Sequence, residues 1–507
     1  MTKWRTPVPL AFLLQLGLIR VIAAQPGPFK GLDAYVLEAM RDWEVPGVSI
    51  AIVKNDSVIH ARGYGVRELG KPAPVDERTV FAIGSSTKPF TTAALQILVD
   101  EGKLKWDDPV TAYLPKFQLY DPWVTRGLTI RDLVTHRSGL VRADLLWASG
   151  RFDRTEILRR IRFLKPTWSF RSTWGYQNIM FIAAGQVILA ASGKAWDDFV
   201  PERIFAPLGM TASATSPVPG GPAASNAAVP HAIVEGVVRP IPYPDITVAG
   251  PAGSITSNAA DLAQWLRLQL GRGRYRGKQI ISEAGVKEMH SPQTVIQNPS
   301  DAAALNTRSA SYGLGWVLHD YHGRPVVQHA GQFAGWNAMT VMLPEEQFGF
   351  AILTNRGEGA IKLALMYRML DAALGLPEHD WSADFMARAR ETAARADSTE
   401  RAVMAARVKG TAPALPLARY AGVYADSLFG DVQVALETGN LLVRYGDRLV
   451  GDLTHWHYET FEVRWRDRVR GKTFATFTLD RDLRATEVTV ERLGDFRRIS
   501  SASPEPR

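Results

Sequence analysis

Two side chains in the stretch from Phe81 to Phe90 could carry out nucleophilic catalysis together. Ser85 and Lys88 stand three positions apart, so in a helix that begins at Ser85 both would lie on one face. A lysine that loses its proton through burial can activate a serine hydroxyl, and a helix N-terminus favours developing negative charge. The spacing is short enough to occur by chance, and an ordinary helix N-cap also accounts for it.

A second candidate pair, Tyr176 and Asn178, follows a turn-rich stretch over 170–175. Residues two apart on an extended loop can both face one cleft. A lysine ammonium nearby would lower the pKa of the Tyr176 phenol, which could then take the proton of Ser85 and return it to a leaving group. Asn178 could donate a hydrogen bond to a substrate carbonyl. Ordinary turn chemistry is the alternative interpretation.

The third candidate cluster is His329-Ala330-Gly331, at the end of a predicted strand. Gly331 would let a substrate approach the backbone closely, and the N–H of Gln332 could then form an oxyanion hole with that of Ser85. His-x-Gly is also a common way for a strand to end. His136, at the end of a short predicted helix, is interpreted as a capping or packing residue.

The surrounding elements predict a sheet built from the two ends of one domain, over 25–381. Two β-rich runs, 48–54 and 57–62, are joined by a short polar turn and predict an antiparallel hairpin. Later in the chain, strands are predicted over 311–320, 326–329, 338–343 and 348–354, with a closing helix over 361–374. Strands at both ends with helices between them indicate an antiparallel sheet plus an inserted helical region. The irregular stretch 216–253 is typical of a loop beside a binding cleft.

The composition changes after residue 381. Residues 382–412 are rich in Ala and Arg with scattered acids, which predicts a solvated helical connector. Short alternating runs then recur at regular intervals over 413–500 and predict a small all-β barrel or sandwich. Residues 501–507 are expected to form a disordered tail. His455 and His457 offer two imidazoles without a third ligand, so no metal site is expected there.

The first 24 residues have the layout of a secretory signal peptide. Lys3 and Arg5 precede an apolar run over 8–19, and small residues before Gln25 provide a cleavage site. The run has about a dozen residues, fewer than the ~20 that span a bilayer. We therefore expect an exported protein, periplasmic or secreted, without stable membrane insertion after cleavage.

Composition limits the binding partners that this chain can have. The 507 residues include no cysteine, which excludes disulfides and thiolate metal sites. The formal charge of +8 is spread along the sequence, and no basic block indicates nucleic-acid binding. The expected partner is a small-molecule or peptide substrate, and the sequence leaves the oligomeric state open.

Taken in order, the three clusters make the chain resemble the serine β-lactamase and penicillin-binding-protein superfamily. The nearest branch includes class C β-lactamases, family VIII esterases and D-amino-acid peptidases. The Ser-x-x-Lys of that family matches Ser85 to Lys88, its Tyr-x-Asn matches Tyr176 to Asn178, and its Lys-Thr-Gly or His-x-Gly matches His329 to Gly331. Supporting segments lie at 133–140, 207–210 and 252–257, and the resemblance covers residues 32–375.

This resemblance implies an α+β fold, an α/β-plus-α sandwich with the nucleophile at the start of a central helix. It also implies a Ser85 acyl-enzyme with Lys88 and Tyr176 as general base and acid, and no metal or cofactor. Substrate binding would fall to Asn178, His329, Gly331 and Gln332. Residues 417–499 resemble the lipocalin-like barrel that some members of the superfamily append.

One departure from the family pattern concerns the substrate. Where β-lactamases carry Lys-Thr-Gly, this chain has His329 and Ala330, and it therefore lacks the ammonium and hydroxyl that would hold a β-lactam carboxylate. Efficient β-lactamase activity is not expected. Peptidase and esterase activities both stay open, and a catalytically silent ligand-binding protein is the alternative from another class.

Overall fold

The structure is a computed structural model, and it describes residues 29–216, 221–297, 307–357 and 359–499. The predicted signal peptide and the predicted disordered tail both lie outside the described residues.

The chain forms helices and short helical turns at both ends of the first domain and in its middle. They are α1 (Leu32–Asp42), α2 (Lys88–Asp100), α3 (Val110–Tyr113), α4 (Pro122–Gly127), α5 (Ile130–Leu133), α6 (Leu145–Ala148), α7 (Arg154–Arg160), α8 (Asn178–Ser192), α9 (Trp196–Val200), α10 (Ala206–Leu208), α11 (Gly250–Gly253), α12 (Ala259–Leu270), α13 (Glu283–Met289), α14 (Ile361–Leu374) and α15 (Trp381–Ala405).

The strands fall into one large sheet, three small two-stranded pairs and a barrel. They are β1 (Gly47–Lys54), β2 (Ser57–Gly65), β3 (Phe81–Ala82), β4 (His231–Val234), β5 (Val237–Pro240), β6 (Thr256–Ser257), β7 (Arg274–Tyr275), β8 (Lys278–Gln279), β9 (Thr294–Val295), β10 (Ala310–Tyr312), β11 (Val317–Tyr321), β12 (Arg324–Phe333), β13 (Trp336–Leu343), β14 (Phe348–Thr354), β15 (Gly422–Asp426), β16 (Gly430–Glu437), β17 (Asn440–Tyr445), β18 (Leu449–His457), β19 (Thr460–Trp465), β20 (Lys472–Leu479), β21 (Ala485–Val490) and β22 (Gly494–Arg498).

The large sheet is antiparallel, with the strand order β2-β1-β14-β13-β12-β11-β10-β9. Strand β1, which lies second from one edge, has two buried faces because side chains alternate along a strand. Val48, Ile50 and Ile52 pack with α1 and α14 on one face, whereas Ala51 and Val53 face the helical region that contains α2 and α8. The predicted α+β fold, with a sheet made from both ends of the domain, is confirmed.

The start of α2 differs from the sequence-based expectation. The helix was expected to begin at Ser85, but residues Gly84–Thr87 form a 3₁₀ turn and α2 begins at Lys88. Pro89 has no N–H to donate to the carbonyl of Ser85, so the α-helical ladder cannot extend back to that residue. The Lys88 N–H bonds the Ser85 carbonyl instead, in the tighter 3₁₀ pattern.

The last eight strands close into a barrel, in which β15 pairs with both β16 and β22. Closure leaves no edge strand open for further pairing. The interior is apolar, with buried side chains such as Tyr424, Val443 and Phe496. The predicted all-β domain is therefore a closed barrel rather than a sandwich.

No single helix in the described ranges is long and apolar enough to cross a membrane. The helical segments Asn178–Ser192 and Trp196–Leu208 together pass by length and composition, but they are bent by 77°. The first of them is largely buried in the core of the first domain.

Candidate active site

Ser85 lies in the 3₁₀ turn between β3 and α2, and it is the partly exposed residue of that turn. Gly84 supplies a left-handed backbone with φ +51°, which glycine adopts without strain. The next hydroxyls fix the turn in place. Ser86 Oγ donates to the carbonyl of His329 over 3.0 Å, and Thr87 Oγ1 accepts from the N–H of Ile255 over 3.1 Å.

Lys88 is fully buried, and its amine lies 3.0 Å from Ser85 Oγ. The same nitrogen donates to Asn178 Oδ1 and to the carbonyl of Ala252, each over 2.8 Å. Burial holds the pKa of Lys88 well below its usual value, and Asp144 opposes this effect only in part. A neutral amine has two hydrogens for the two carbonyl acceptors, and its lone pair is then left for the Ser85 hydroxyl.

Tyr176 donates from its phenol to Ser85 Oγ over 2.7 Å. Burial raises the pKa of Tyr176 to about 12, although the hydrogen bond with Ser85 and the charge of Arg142 act in the opposite direction. The expectation of a lowered Tyr176 pKa was wrong, because it assumed a charged lysine and the buried Lys88 favours its neutral form. Tyr176 is therefore a proton donor in the resting site.

Asn178 is the first residue of α8, and both ends of its side-chain amide form hydrogen bonds with other residues of the protein. Its Oδ1 accepts from Lys88, and its Nδ2 donates to Asp144 Oδ1 over 3.0 Å. This role differs from the expected donation to a substrate carbonyl. Asn178 orients the amine of Lys88 towards Ser85.

Asp144 is a site residue that the sequence did not reveal. Its Oδ1 accepts from Asn178 and from the indole N–H of Trp147 over 2.9 Å, and its Oδ2 accepts from Arg142 Nε over 2.7 Å. A carboxylate accepts only, so it fixes which end of the Asn178 amide faces Lys88. Asp144 lies in a loop with no periodic pattern, and its only signal is its position shortly after the supporting segment at 133–140.

His329 does not lie in the wall of the cleft. Its side chain is only 3% exposed, and its Nε2 lies 2.9 Å from the hydroxyl of Tyr312. Burial lowers the pKa of His329 to about 3, and the nearby Lys88 contributes to the shift. The prediction that this ring contacts substrate is not supported by its position, because the neutral imidazole packs beneath the site.

Gly331 allows a close approach, but between two parts of the protein rather than between backbone and substrate. A Cβ atom on Gly331 would overlap with the carbonyl oxygen of Ile83 and would lie 2.9 Å from the backbone nitrogen of Ser85. On the facing side, a Cβ atom on Gly84 would lie 3.0 Å from the backbone nitrogen of Gln332. The end of β12 and the turn of Ser85 are thus in direct backbone contact, which brings together the two N–H groups predicted to form the oxyanion hole.

His136 packs against the loop that contains Tyr176. It is fully buried, its Nδ1 accepts from the N–H of Gln177 over 3.1 Å, and its ring centroid lies 4.3 Å from that of Tyr176. Burial also lowers its pKa well below the usual value. This position agrees with the packing role inferred for His136.

A small cavity of about 100 Å³ opens at Ser85. Its lining combines Ser85 and Asn178 with loop residues, several of them from the segment expected to border a cleft. The lining residues are Gly84, Ser85, Arg142, Trp147, Asn178, Ile246, Ala249, Ala252, Gly253, Gln332 and Phe333. The structure therefore brings Ser85, Lys88, Tyr176 and Asn178 into one hydrogen-bonded group, with Gln332 beside it and His329 behind it.

Comparison with known proteins gives matches over both parts of the chain. The family model described as Beta-lactamase matches residues 32–374, and that of a domain of unknown function matches residues 406–502. The chain is 28% identical over 436 residues to Unguisins hydrolase ungD' of Aspergillus campestris, covering 82% of this chain and 78% of that relative. It is also 28% identical over 342 residues to Penicillin-binding protein 4 of Amycolatopsis lactamdurans, covering 66% of this chain and 87% of the relative.

A solved structure shares the arrangement of the whole chain. The octameric penicillin-binding protein homologue from Pyrococcus abyssi superimposes with a TM-score of 0.61 at 22% identity, covering 92% of this chain and 99% of that one. At this level of identity the likeness concerns the fold.

Proposed function

The chain belongs to the beta-lactamase family of serine hydrolases, and from this premise we propose that it cleaves an ester or amide bond through a covalent Ser85 intermediate. The observation that carries the proposal is the hydrogen-bonded group around Ser85 Oγ. Lys88 and Tyr176 both lie within hydrogen-bond distance of that oxygen, at 3.0 and 2.7 Å. The lowered pKa of Lys88 favours the neutral amine that can accept a proton, and the raised pKa of Tyr176 keeps its phenol protonated.

Acylation begins when Ser85 Oγ attacks the substrate carbonyl and its proton passes to the neutral amine of Lys88. The backbone N–H groups of Ser85 and Gln332 stabilise the oxyanion, and removing one such donor typically costs about 3 kcal/mol of barrier. When the intermediate collapses, the bond from the carbonyl carbon to the leaving group breaks. Tyr176 gives its proton to the leaving group and takes one from the Lys88 ammonium.

Deacylation repeats these transfers with water. Neutral Lys88 accepts a proton from the attacking water. The ester bond to Ser85 breaks as its Oγ takes a proton from Tyr176, which recovers one from the Lys88 ammonium. The products are a carboxylic acid and an alcohol or amine, and the resting arrangement is restored. This scheme uses the side chains of Ser85, Lys88 and Tyr176 and the two backbone N–H groups described above.

The proposed substrate is a small molecule or a peptide, and both a peptidase and an esterase are compatible with this site. Export also belongs to the proposal, because it depends on the signal-like pattern of residues 1–24. We also propose that the barrel is lipocalin-like, because its pattern of strands resembles that of lipocalins.

Labelling with a fluorophosphonate probe tests the proposal most directly, since it reacts with an activated serine. We expect stoichiometric labelling at Ser85, together with hydrolysis in a panel of nitrophenyl esters, D- and L-aminoacyl amides and nitrocefin. Ser85→Ala should abolish both, whereas Ser57→Ala, which removes an exposed hydroxyl on the edge strand β2, should retain both. Full activity in the Ser85→Ala enzyme on a responsive substrate would refute the proposal.

A further inference from the structure

A second cavity, of about 570 Å³, adjoins the small cavity at Ser85 and lies between the two domains. The first domain supplies one wall from the segments 241–246 and 333–334, together with Trp147 and Ala148. The barrel supplies the other wall, with Arg448, Asp467, Val469 and Arg470. Trp147, Ile246 and Phe333 line both cavities, so the two meet at these side chains.

The inner cavity is too small for more than the reacting group of a substrate. At about 100 Å³ it has room for a few heavy atoms, since a single water occupies about 30 Å³ in the liquid. The outer cavity, in contrast, falls in the range of about 300–1,000 Å³ that is usual for ligand sites. A larger substrate whose carbonyl reaches Ser85 can extend past Trp147 and Phe333 into this outer cavity.

The lining of the outer cavity is mainly aromatic and aliphatic. The rings of Trp147 and Phe333 lie 6.3 Å apart at the junction, and Tyr243 packs 5.4 Å from Trp336 in the wall. Pro242, Pro244 and Ala334 also contribute. These side chains are rigid and gain free energy by covering apolar surface.

The charged groups of this cavity balance each other. Arg448 Nη2 bonds Asp245 Oδ2 over 2.8 Å and its Nη1 donates to the carbonyl of Asp245 over 3.0 Å. Arg470 Nε donates to Asp467 Oδ2 over 3.2 Å. Because each arginine is paired with an aspartate of the same cavity, the site presents no net charge that would select an anionic or cationic substrate.

The barrel wall is held in a fixed position beside the active site. Arg448 and Asp245 join the two domains across the cavity, and Arg468 Nη1 bonds Glu235 Oε1 over 2.5 Å. Gly150 packs so closely on Arg448 that a Cβ atom there would lie 2.6 Å from its guanidinium carbon. The wall is thus positioned by two ion pairs to the segment 235–245 and by packing on Gly150, a few residues after Trp147.

From these observations we infer that the outer cavity is a substrate subsite shared by the barrel, and that it takes a bulky, uncharged, apolar portion of the ester or amide. This inference rests on the proposed function, because it assigns a substrate class to the same site. The barrel then determines which substrates the hydrolase domain accepts.

The test uses the full chain and compares two exposed valines of the barrel. Val469, which is 39% exposed, lines the outer cavity, whereas Val423, which is 37% exposed, lies outside it. Val469→Asp places a charge in the apolar subsite, and Val423→Asp is the matched control. The probes are p-nitrophenyl acetate, the p-nitrophenyl ester of N-benzyloxycarbonyl-phenylalanine, and 4-(phenylazo)phenyl acetate. Relative to the first, the second adds bulk on the acyl side and the third adds bulk on the leaving group.

We expect Val469→Asp to lower the ratio of kcat/KM for at least one bulky ester to that for p-nitrophenyl acetate by about tenfold, which corresponds to 1.4 kcal/mol. Val423→Asp should leave both ratios within about twofold, as a remote surface change does. The inference is overturned if neither ratio changes in Val469→Asp, or if both variants change them equally.

A binding measurement distinguishes a failure of this inference from a failure of the proposed function. The affinity of N-benzyloxycarbonyl-phenylalanine amide, measured by calorimetry on Ser85→Ala, does not require turnover. Binding that Val469→Asp weakens and Val423→Asp leaves intact supports the subsite even if Ser85 proves not to be the nucleophile. Ser85-dependent hydrolysis of p-nitrophenyl acetate, with no effect of Val469→Asp on binding or on either ratio, would overturn the subsite and leave the proposed function standing.

Discussion

Lys88 owes its chemistry to three groups that surround its amine. Two of them, Asn178 Oδ1 and the carbonyl of Ala252, can only accept hydrogen bonds, and they therefore direct the remaining position of the amine towards Ser85. Asn178 holds its orientation because Asp144 accepts from its other end. Asp144 also raises the pKa of Lys88 against the larger effect of burial. We infer that this carboxylate is a positioning residue of the site.

Asp144→Asn should lower kcat about tenfold to a hundredfold, because a small displacement of a catalytic group commonly costs that much. It should also move the acid limb of the kcat/KM profile to lower pH. The sign follows from charge. Removing the anion lowers the pKa of Lys88 further, so the amine stays neutral in more acid solution.

The pH profile distinguishes positioning from a general loss of stability. A variant that is merely destabilised loses activity without a shift of the acid limb. Asp144→Glu, which keeps the charge, should leave the limb near its wild-type position even where kcat falls. An unchanged limb in Asp144→Asn would contradict this assignment.

The sequence was sufficient to single out the side chains that lie together at Ser85 but not to assign their protonation. Ser85, Lys88 and Tyr176 stood out because their types and order match a known pattern. The pKa of Tyr176 depends on its burial, and so does that of Lys88, and neither degree of burial can be read from neighbouring residues. Asp144 was missed for a related reason, since its partners Asn178 and Trp147 meet it only in the folded chain.

The turn that carries Ser85 and the end of β12 form one structural unit. Ser86 Oγ bonds the carbonyl of His329, and Gly331 packs directly on Ile83 and Ser85. A side chain at Gly331 would push the strand away from the turn and separate the two N–H groups of the proposed oxyanion hole. The absence of a side chain at this position is therefore a requirement of the site.

Gly331→Ala should destabilise the fold by about 1–3 kcal/mol, the usual cost of an overpacked atom, and should lower kcat more than KM. The measurements are urea unfolding and steady-state kinetics. Gly127→Ala is the matched control, because its Cβ atom would meet its nearest neighbour at an ordinary 3.8 Å. Wild-type kcat in Gly331→Ala would show that the backbone contact is unimportant for catalysis.

At the level of elements, strand patterns predicted the sheet well because β13 and β14 are apolar along their whole length. The start of α2 was placed three residues too early, since helical spacing does not show where Pro89 breaks the hydrogen-bond ladder. The close approach expected at Gly331 was also assigned to the wrong partner, because the turn of Ser85 packs there instead of a substrate. Glycine indicates a close approach, but the sequence does not show which group approaches.

The two domains form a continuous packed structure at the scale of the whole molecule. Phe429 of the barrel packs against the cores of both domains, and Leu428 belongs to the core of the first domain. Arg151 adds an ion pair to Asp431 with 2.7 Å between Nη2 and Oδ1. Apolar packing is the larger contribution, because exposed ion pairs stabilise by only about 0–1 kcal/mol.

Phe429→Ala should reduce the free energy of unfolding by about 1–2 kcal/mol, because full burial of such a side chain is worth about 1.5–3 kcal/mol and Phe429 is only partly buried. It should also expose the chain between α15 and β15 to limited proteolysis, which releases the barrel. Val423→Ala, on the exposed surface of the same barrel, should change neither measurement. Resistance to proteolysis equal to that of the wild type would show that the domains are held together by other contacts.

The pairing of β1 with β14 also determines when the first domain can fold during synthesis. Val48 pairs with Thr354, so two neighbouring strands of the sheet come from segments that lie almost a whole domain apart in the chain. At about 5–20 residues per second, a ribosome needs roughly 15–60 s to make the intervening residues. Through that interval the hairpin of β1 and β2 has no third strand, and such long-range pairing is slow once it becomes possible. The nascent chain must therefore be kept from aggregating until its last core strand has been made.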